Sequence, residues 1–171
     1  MKKILLVGYM GSGKTVTAKL LAEHLNILAV DLDEVIESEF GLSIKVLFET
    51  KGELFFRKQE HAALVRLLQT NEPMVISLGG GTPCYANNHL LLNGSDVVSV
   101  YLKASIDTLI ERLEGTAGRP LMDHINETER QEFIAKHLFE RSYFYNQATH
   151  TVQIEGKSPA ELAAEIMRLL A

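Results

Sequence analysis

Short, nearly continuous apolar runs alternate along the chain with longer stretches in which apolar residues recur every three or four positions. The runs at Lys3–Val7, Leu28–Asp31, Met74–Leu78, Val97–Leu102 and Thr151–Ile154 read as strands covered on both faces. The periodic stretches predict helices near 14–25, 33–40, 43–49, 52–70, 86–92, 105–114, 127–146 and 159–170. Ser158-Pro159-Ala160-Glu161 opens the last of these as a capping box with proline in the first turn, and Asn126 with Glu129 opens the one before. Strands alternating with helices imply a five-stranded parallel sheet flanked by helices on both faces. No repeat, low-complexity tract or linker interrupts the pattern, so residues 1–171 read as one α/β domain.

Two stretches depart from simple alternation. Asp33 to Glu72 far exceeds the roughly dozen residues that a parallel crossover needs, which predicts a substrate-gripping insertion over about 33–62. Gly115 to Leu121 places glycines beside Arg119 between two helices, which predicts a lid over about 114–125.

The most telling polar pattern is Gly8-Tyr9-Met10-Gly11-Ser12-Gly13-Lys14-Thr15, set between the first strand and the first helix. It fits G-x-x-x-x-G-K-[ST], in which a glycine-rich turn bares backbone N–H groups and the following helix aims its N-terminal dipole at the same point. Lys14 would supply a flexible ammonium for β- and γ-phosphates, and Thr15 a hydroxyl for Mg²⁺.

Asp31 and Asp33 end the second strand, at the sheet edge where open α/β proteins bind ligands. Strand alternation would turn both carboxylates toward the phosphate loop, one for Mg²⁺ and one to accept a proton from an attacking hydroxyl. The alternative is that Asp33 caps the next helix. Gly79-Gly80-Gly81 follows the third strand and either lets a ligand approach the backbone closely or serves as a hinge. Arg57 stands three residues before Glu60, a spacing that allows a side-chain pair. Arg112, Arg119 and Arg141 add planar cations able to grip phosphate or carboxylate, though any one of them alone is most simply a solvated surface residue.

Composition narrows the partners. The chain carries 46% hydrophobic and 23% charged residues, and no apolar run approaches the roughly 20 residues of a membrane span. The first strand begins at the N-terminus, so no signal peptide is expected. A net charge of −5 makes nonspecific nucleic-acid binding unfavourable, so phosphate must be handled by locally gathered cations. The single cysteine, Cys84, excludes an internal disulfide and suits a reducing cytoplasm; it reads as a small apolar filler near the glycine triplet. His24, His61, His89, His124, His137 and His150 show no metal-binding spacing and read as structural or exposed.

Taken in order, the phosphate loop, Asp31-Leu32-Asp33, Phe56-Arg57, Gly79-Gly80-Gly81, Arg119-Pro120-Leu121 and Arg141 with Tyr145 and Ala148 resemble the shikimate kinase family over the whole chain. The phosphate loop alone is shared by a large superfamily; the remaining set in this order is far more specific. The resemblance implies a P-loop NTPase with the nucleoside monophosphate kinase-like fold. It also implies transfer of the ATP γ-phosphate to the 3-hydroxyl of shikimate, in the chorismate route to aromatic amino acids, with Mg²⁺ as cofactor. Lys14, Asp33 and Arg119 would be catalytic, with Gly11, Ser12, Gly13, Lys14, Thr15, Arg112 and Arg119 on ATP. Asp33, Arg57, Gly79, Gly80, Gly81 and Arg141 would hold shikimate, with Glu60 orienting Arg57. Thr15 and, through water, Asp31 would meet the metal. A cytoplasmic monomer is implied. The chain departs from the family pattern in having no lysine or arginine over 114–118, and in Arg141-Ser142 where an arginine followed closely by proline is frequent. Two rivals remain at this point: a small kinase of another hydroxylated carboxylate such as gluconate, and a nucleotide-dependent switch with no acceptor.

Overall fold

The computed structural model describes residues 2–114 and 126–171. Five strands, β1 (Lys3–Val7), β2 (Leu28–Asp31), β3 (Met74–Ser77), β4 (Val97–Lys103) and β5 (His150–Gln153), form one parallel sheet in the order β2-β3-β1-β4-β5. All five lie where the apolar runs predict them. β1 and β3 are buried along their whole length, as central parallel strands must be, whereas β2 and β5 at the edges are partly exposed.

The chain leaves β3 on one side of β1 and enters β4 on the other, so direction switches at β1. Loops after β1, β2 and β3 therefore open onto one edge of the sheet, beside the switch point. Helices α1 (Lys14–Leu25), α5 (Ile106–Leu113), α6 (Glu127–Tyr145) and α7 (Pro159–Leu170) complete the layers. α1 stops at Asn26, a left-handed residue whose N–H bonds to the carbonyls of Ala22 and Glu23. Both expected capping boxes, Asn126/Glu129 and Ser158/Glu161, are formed.

Between β2 and β3 the long segment folds as α2 (Leu32–Phe40), α3 (Ile44–Lys51) and α4 (Glu53–Gln69), which pack on one another. Their apolar faces join the main core through Leu32, Ile36, Leu47, Phe56, Ala63 and Leu64. The expected helix near 86–92 is not formed. Two short 3₁₀ turns, Thr82–Cys84 and Asn88–Leu91, stand there instead, because Ala86 and Asn87 take left-handed conformations (φ 50° and 55°) that no right-handed helix can pass through. The expected lid over 114–125 lies, from 115 on, outside the described residues, as do Arg119 and His124.

Candidate active site

The phosphate loop is folded tightly before any ligand is considered. Gly8 has φ +152°, and a Cβ there would stand 2.8 Å from both the Leu102 carbonyl and Ser12 Oγ. Gly13, at φ +88°, turns the chain into α1. Lys14 Nζ donates to the carbonyls of Gly8 at 2.7 Å and Tyr9 at 3.0 Å. The Ser12 N–H donates to the Tyr9 carbonyl at 3.1 Å, and the Ser12 side chain is buried under the loop. Arg112 reaches over from α5 to donate to the Gly11 carbonyl at 3.3 Å. Tyr9 is buried, and its hydroxyl meets His137 Nδ1 on α6 at 3.0 Å.

Across the edge, Thr15 Oγ1 donates to Asp31 Oδ2 at 2.8 Å and lies 3.4 Å from Ser77 Oγ. A hydroxyl, a carboxylate and a second hydroxyl beside phosphate-binding geometry suit a small divalent cation that keeps water and phosphate oxygens as its other ligands. Among the described residues there is no cluster of three or more His, Cys, Asp or Glu that could hold a metal by itself. Of the described histidines, His24 bonds to the Leu20 carbonyl, His61 to Asn88 and His137 to Tyr9, while His89 packs against the Tyr143 and Phe144 rings.

Asp31 and Asp33 converge by a different route from strand alternation. Asp31 is the N-cap of α2, its Oδ1 accepting from the N–H groups of Asp33 (3.0 Å) and Glu34 (3.3 Å). Asp33 sits in the first turn of that helix, so the cap is Asp31 and not Asp33. Both line a cavity of about 910 Å³ shared with Lys14, Thr15, Ser77 and Gly79. Burial, and after it the carboxylates of Asp31 and Glu60, outweigh Lys14 and raise the Asp33 pKa to about 6. That value lies near neutrality, where a carboxylate is an effective proton acceptor.

The glycine triplet is enclosed by charged side chains. A Cβ would stand 3.2 Å from Asp33 Oδ1 at Gly79, 3.1 Å from Arg141 Nη1 at Gly80, and 2.7 Å from Arg57 Nη2 at Gly81. Arg57 is held by Glu60, 2.9 Å away and 1% exposed, whose other oxygen accepts from Thr82 Oγ1 at 2.8 Å. Arg141, 9% exposed, has no carboxylate partner within ion-pair distance among the described residues. Tyr145, one helical turn on, donates to the Gly80 carbonyl at 2.6 Å and holds the triplet against α6. Gly81→Ala should displace the Arg57 guanidinium from Glu60. We expect the affinity of this edge for a small organic carboxylate to fall about tenfold in an equilibrium titration, one decade per roughly 1.4 kcal/mol of lost binding. Cys84 is half-buried and its thiol is pushed up to about 11 by burial, so it stays protonated at neutral pH and agrees with the filler reading.

Sequence reasoning therefore finds Lys14, Thr15, Asp31, Asp33, Arg57, Arg112, Arg141 and the triplet, and the structure gathers all of them at this edge. It misses Tyr9, Thr82 and Tyr85, whose contacts are with residues far away in the chain. For Thr82 a signal was present in its position directly after the triplet.

A family model described as shikimate kinase matches residues 10–171. The chain belongs to the shikimate kinase family. A shikimate kinase from Flavobacterium johnsoniae is 52% identical over 172 residues, covering 100% of both chains. The crystal structure of shikimate kinase from Bacteroides thetaiotaomicron superposes with a TM-score of 0.89 at 34% identity, covering 99% of this chain and 97% of that one. Shikimate kinase from Acinetobacter baumannii, solved in complex with shikimate, gives the same TM-score at 30% identity over 99% of this chain and 93% of that one. As a member of the shikimate kinase family the chain is an ATP-dependent phosphotransferase with an alcohol acceptor, on a P-loop, nucleoside monophosphate kinase-like fold.

Proposed function

We propose that the chain transfers the γ-phosphate of ATP to the 3-hydroxyl of shikimate, giving shikimate 3-phosphate and ADP, and that the residues gathered at the sheet edge divide this task between them. The observation that carries the reading is the pair of guanidiniums, Arg57 and Arg141, on a glycine backbone beside Asp33. Two planar cations packed on the glycine backbone suit a carboxylate, and a half-buried carboxylate of raised pKa beside them suits a hydroxyl. Arg57 and Arg141 would hold the shikimate carboxylate, with its ring against Gly79, Gly80 and Gly81.

Asp33 would accept the proton of the 3-hydroxyl as that oxygen bonds to the γ-phosphorus, while the bond from phosphorus to the β,γ-bridging oxygen breaks and its electron pair leaves with ADP. The transition state is loose, so the chain contributes mainly alignment and cationic charge around the transferring group. Lys14 would move from the loop carbonyls to the β- and γ-phosphates, and the N–H groups of Gly11, Gly13 and Thr15 would line the phosphate chain. Arg112, already on the loop, would lie toward the nucleotide base. Arg119, outside the described residues, would come from the lid over about 114–125. Thr15 and Asp31, with Ser77 nearby, would hold Mg²⁺, which would supply positive charge to offset that of the phosphates.

The α2–α4 segment, over about 33–62, would serve as the acceptor-binding insertion. A cytoplasmic monomer fits this role. A switch would leave Arg141 with no anion to meet.

The test is ADP release with Mg²⁺-ATP in the presence of shikimate, gluconate or water alone. Release that requires shikimate, with shikimate 3-phosphate identified by mass, supports the proposal. Release with gluconate alone reassigns the acceptor, and release indifferent to acceptor removes the kinase reading of the site.

A further inference from the structure

Arg57 is held on more sides than an ion pair requires. Its guanidinium carbon lies 4.0 Å from the centroid of the Tyr85 ring, 5.1 Å from Phe56 and 5.8 Å from Phe48. Glu60 takes Nη1 at 2.9 Å, and Glu53 stands 3.6 Å from Nε on the outer side. The Gly81 backbone faces Nη1 and Nη2. The two phenylalanines come from α3 and α4, but Tyr85 comes from the turn after the glycine triplet and is the ring in van der Waals contact.

The backbone around Tyr85 is unusual in a way that concerns its placement. Tyr85 itself is extended (φ −123°, ψ 156°), and the next two residues, Ala86 and Asn87, are both left-handed. A left-handed conformation is unfavourable for alanine and persists only where its surroundings enforce it. The enforcing contacts follow at once: Asn88 is wholly buried, its Nδ2 donating to the Thr82 carbonyl at 3.0 Å and its Oδ1 meeting His61 Nδ1 at 2.6 Å. Thr82 in turn donates to Glu60. The turn is thereby pinned at both ends to the helix that carries Arg57, with the Tyr85 ring laid over the guanidinium between the pins.

We propose that Tyr85 is a positioning residue for the acceptor site: its ring, stacked on Arg57, fixes the orientation of the guanidinium against Gly81 and Glu60, and with it the edge that the guanidinium offers to the acceptor carboxylate. This rests on the reading of Arg57 as a carboxylate-binding residue. A flexible side chain that is already held in its binding orientation loses less freedom when the ligand arrives, so the ring contributes to affinity without touching the substrate. A stacked ring of this kind at a partly exposed site makes a modest contribution, so its removal should change KM by about threefold to fivefold. Because Tyr85 is 38% exposed, its truncation should leave the core intact.

The experiment is steady-state kinetics on wild type, Tyr85→Ala, Tyr85→Phe, Arg57→Ala and the Tyr85→Ala/Arg57→Ala double variant, each assayed well below its own melting temperature, because Arg57→Ala leaves the buried Glu60 without its cation. Tyr85→Ala should raise KM for shikimate about threefold to fivefold, with kcat and KM for ATP within about 1.5-fold; Tyr85→Phe, which keeps the ring and gives up only the hydroxyl's contact with Glu53, should restore the wild-type value. In the Arg57→Ala background Tyr85→Ala should have no further effect. If Arg57→Ala raises KM for shikimate while Tyr85→Ala does not, the inference about Tyr85 fails and the site reading stands. If Arg57→Ala leaves that KM unchanged, the site reading fails and takes the inference with it. A rise that Tyr85→Phe does not restore, or that affects ATP equally, also overturns the stacking role.

Discussion

Asp33→Asn is expected to lower kcat by more than about 10²-fold, the low end of general-base effects, while making the protein more resistant to heat at pH 8. The two outcomes have one cause. Burial and the neighbouring carboxylates hold the Asp33 pKa at about 6, against 3.8 for an ordinary aspartate. The folded state thus takes up a proton more readily than the unfolded chain, and ionised Asp33 opposes folding. This cost is absent below about pH 4, where both states are protonated, grows as pH rises toward 6, and is complete above it. A difference of about two pKa units corresponds to up to about 3 kcal/mol. Asparagine keeps the shape and removes the charge, so the melting temperatures of variant and wild type should diverge with rising pH and meet near pH 4. Wild-type kcat/KM for shikimate should fall on an acid limb near pH 6, which the variant lacks. Turnover within tenfold of wild type at saturating shikimate would remove Asp33 from the proton transfer.

Lys14→Met should lower kcat by about 10²–10³-fold, as expected when one preorganised cation is withdrawn from developing charge. Methionine preserves much of the length of the side chain and loses the ammonium. In wild type that ammonium satisfies the Gly8 and Tyr9 carbonyls before nucleotide arrives, so the variant should also leave the loop less well held. The measurements are kcat at saturating substrates and equilibrium ATP binding followed separately. Lys14→Arg should not rescue turnover, because a forked planar cation cannot replace a compact one in a tight loop. Turnover within tenfold of wild type would mean that the loop backbone alone neutralises the transferring phosphate.

The sheet was legible because burial on both faces writes itself as unbroken apolar runs, and Ile4-Leu5-Leu6-Val7 at the sheet centre is the clearest of them. The phosphate loop and the glycine triplet were legible because backbone crowded as closely as Gly8, Gly80 and Gly81 are leaves no room for a Cβ and admits little but glycine. Asp31 and Asp33 were placed together for a mistaken reason: the strand ends at Asp31, two residues short of what the alternation argument needed, and Asp31 caps the helix on which Asp33 rides. The helix expected near 86–92 failed because periodicity does not register that Ala86 and Asn87 are held left-handed by Asn88 and Thr82. Contacts such as Tyr85 on Arg57 join chain segments whose proximity is a product of the fold, and no local pattern announces them.

The hydrogen bond from Tyr9 to His137 joins two positions 128 residues apart. Neither side chain is asked to bind a substrate, yet each completes the other inside a wall shared by the phosphate loop and α6. A lone change of Tyr9 to phenylalanine would take the hydroxyl away from a half-buried imidazole nitrogen, and a lone change of His137 to leucine would remove a hydrogen-bond partner of a buried phenol. Through the history of such a sequence the two positions should therefore drift as a couple, so that the identity of a residue within a phosphate-binding motif is governed by a helix far along the chain.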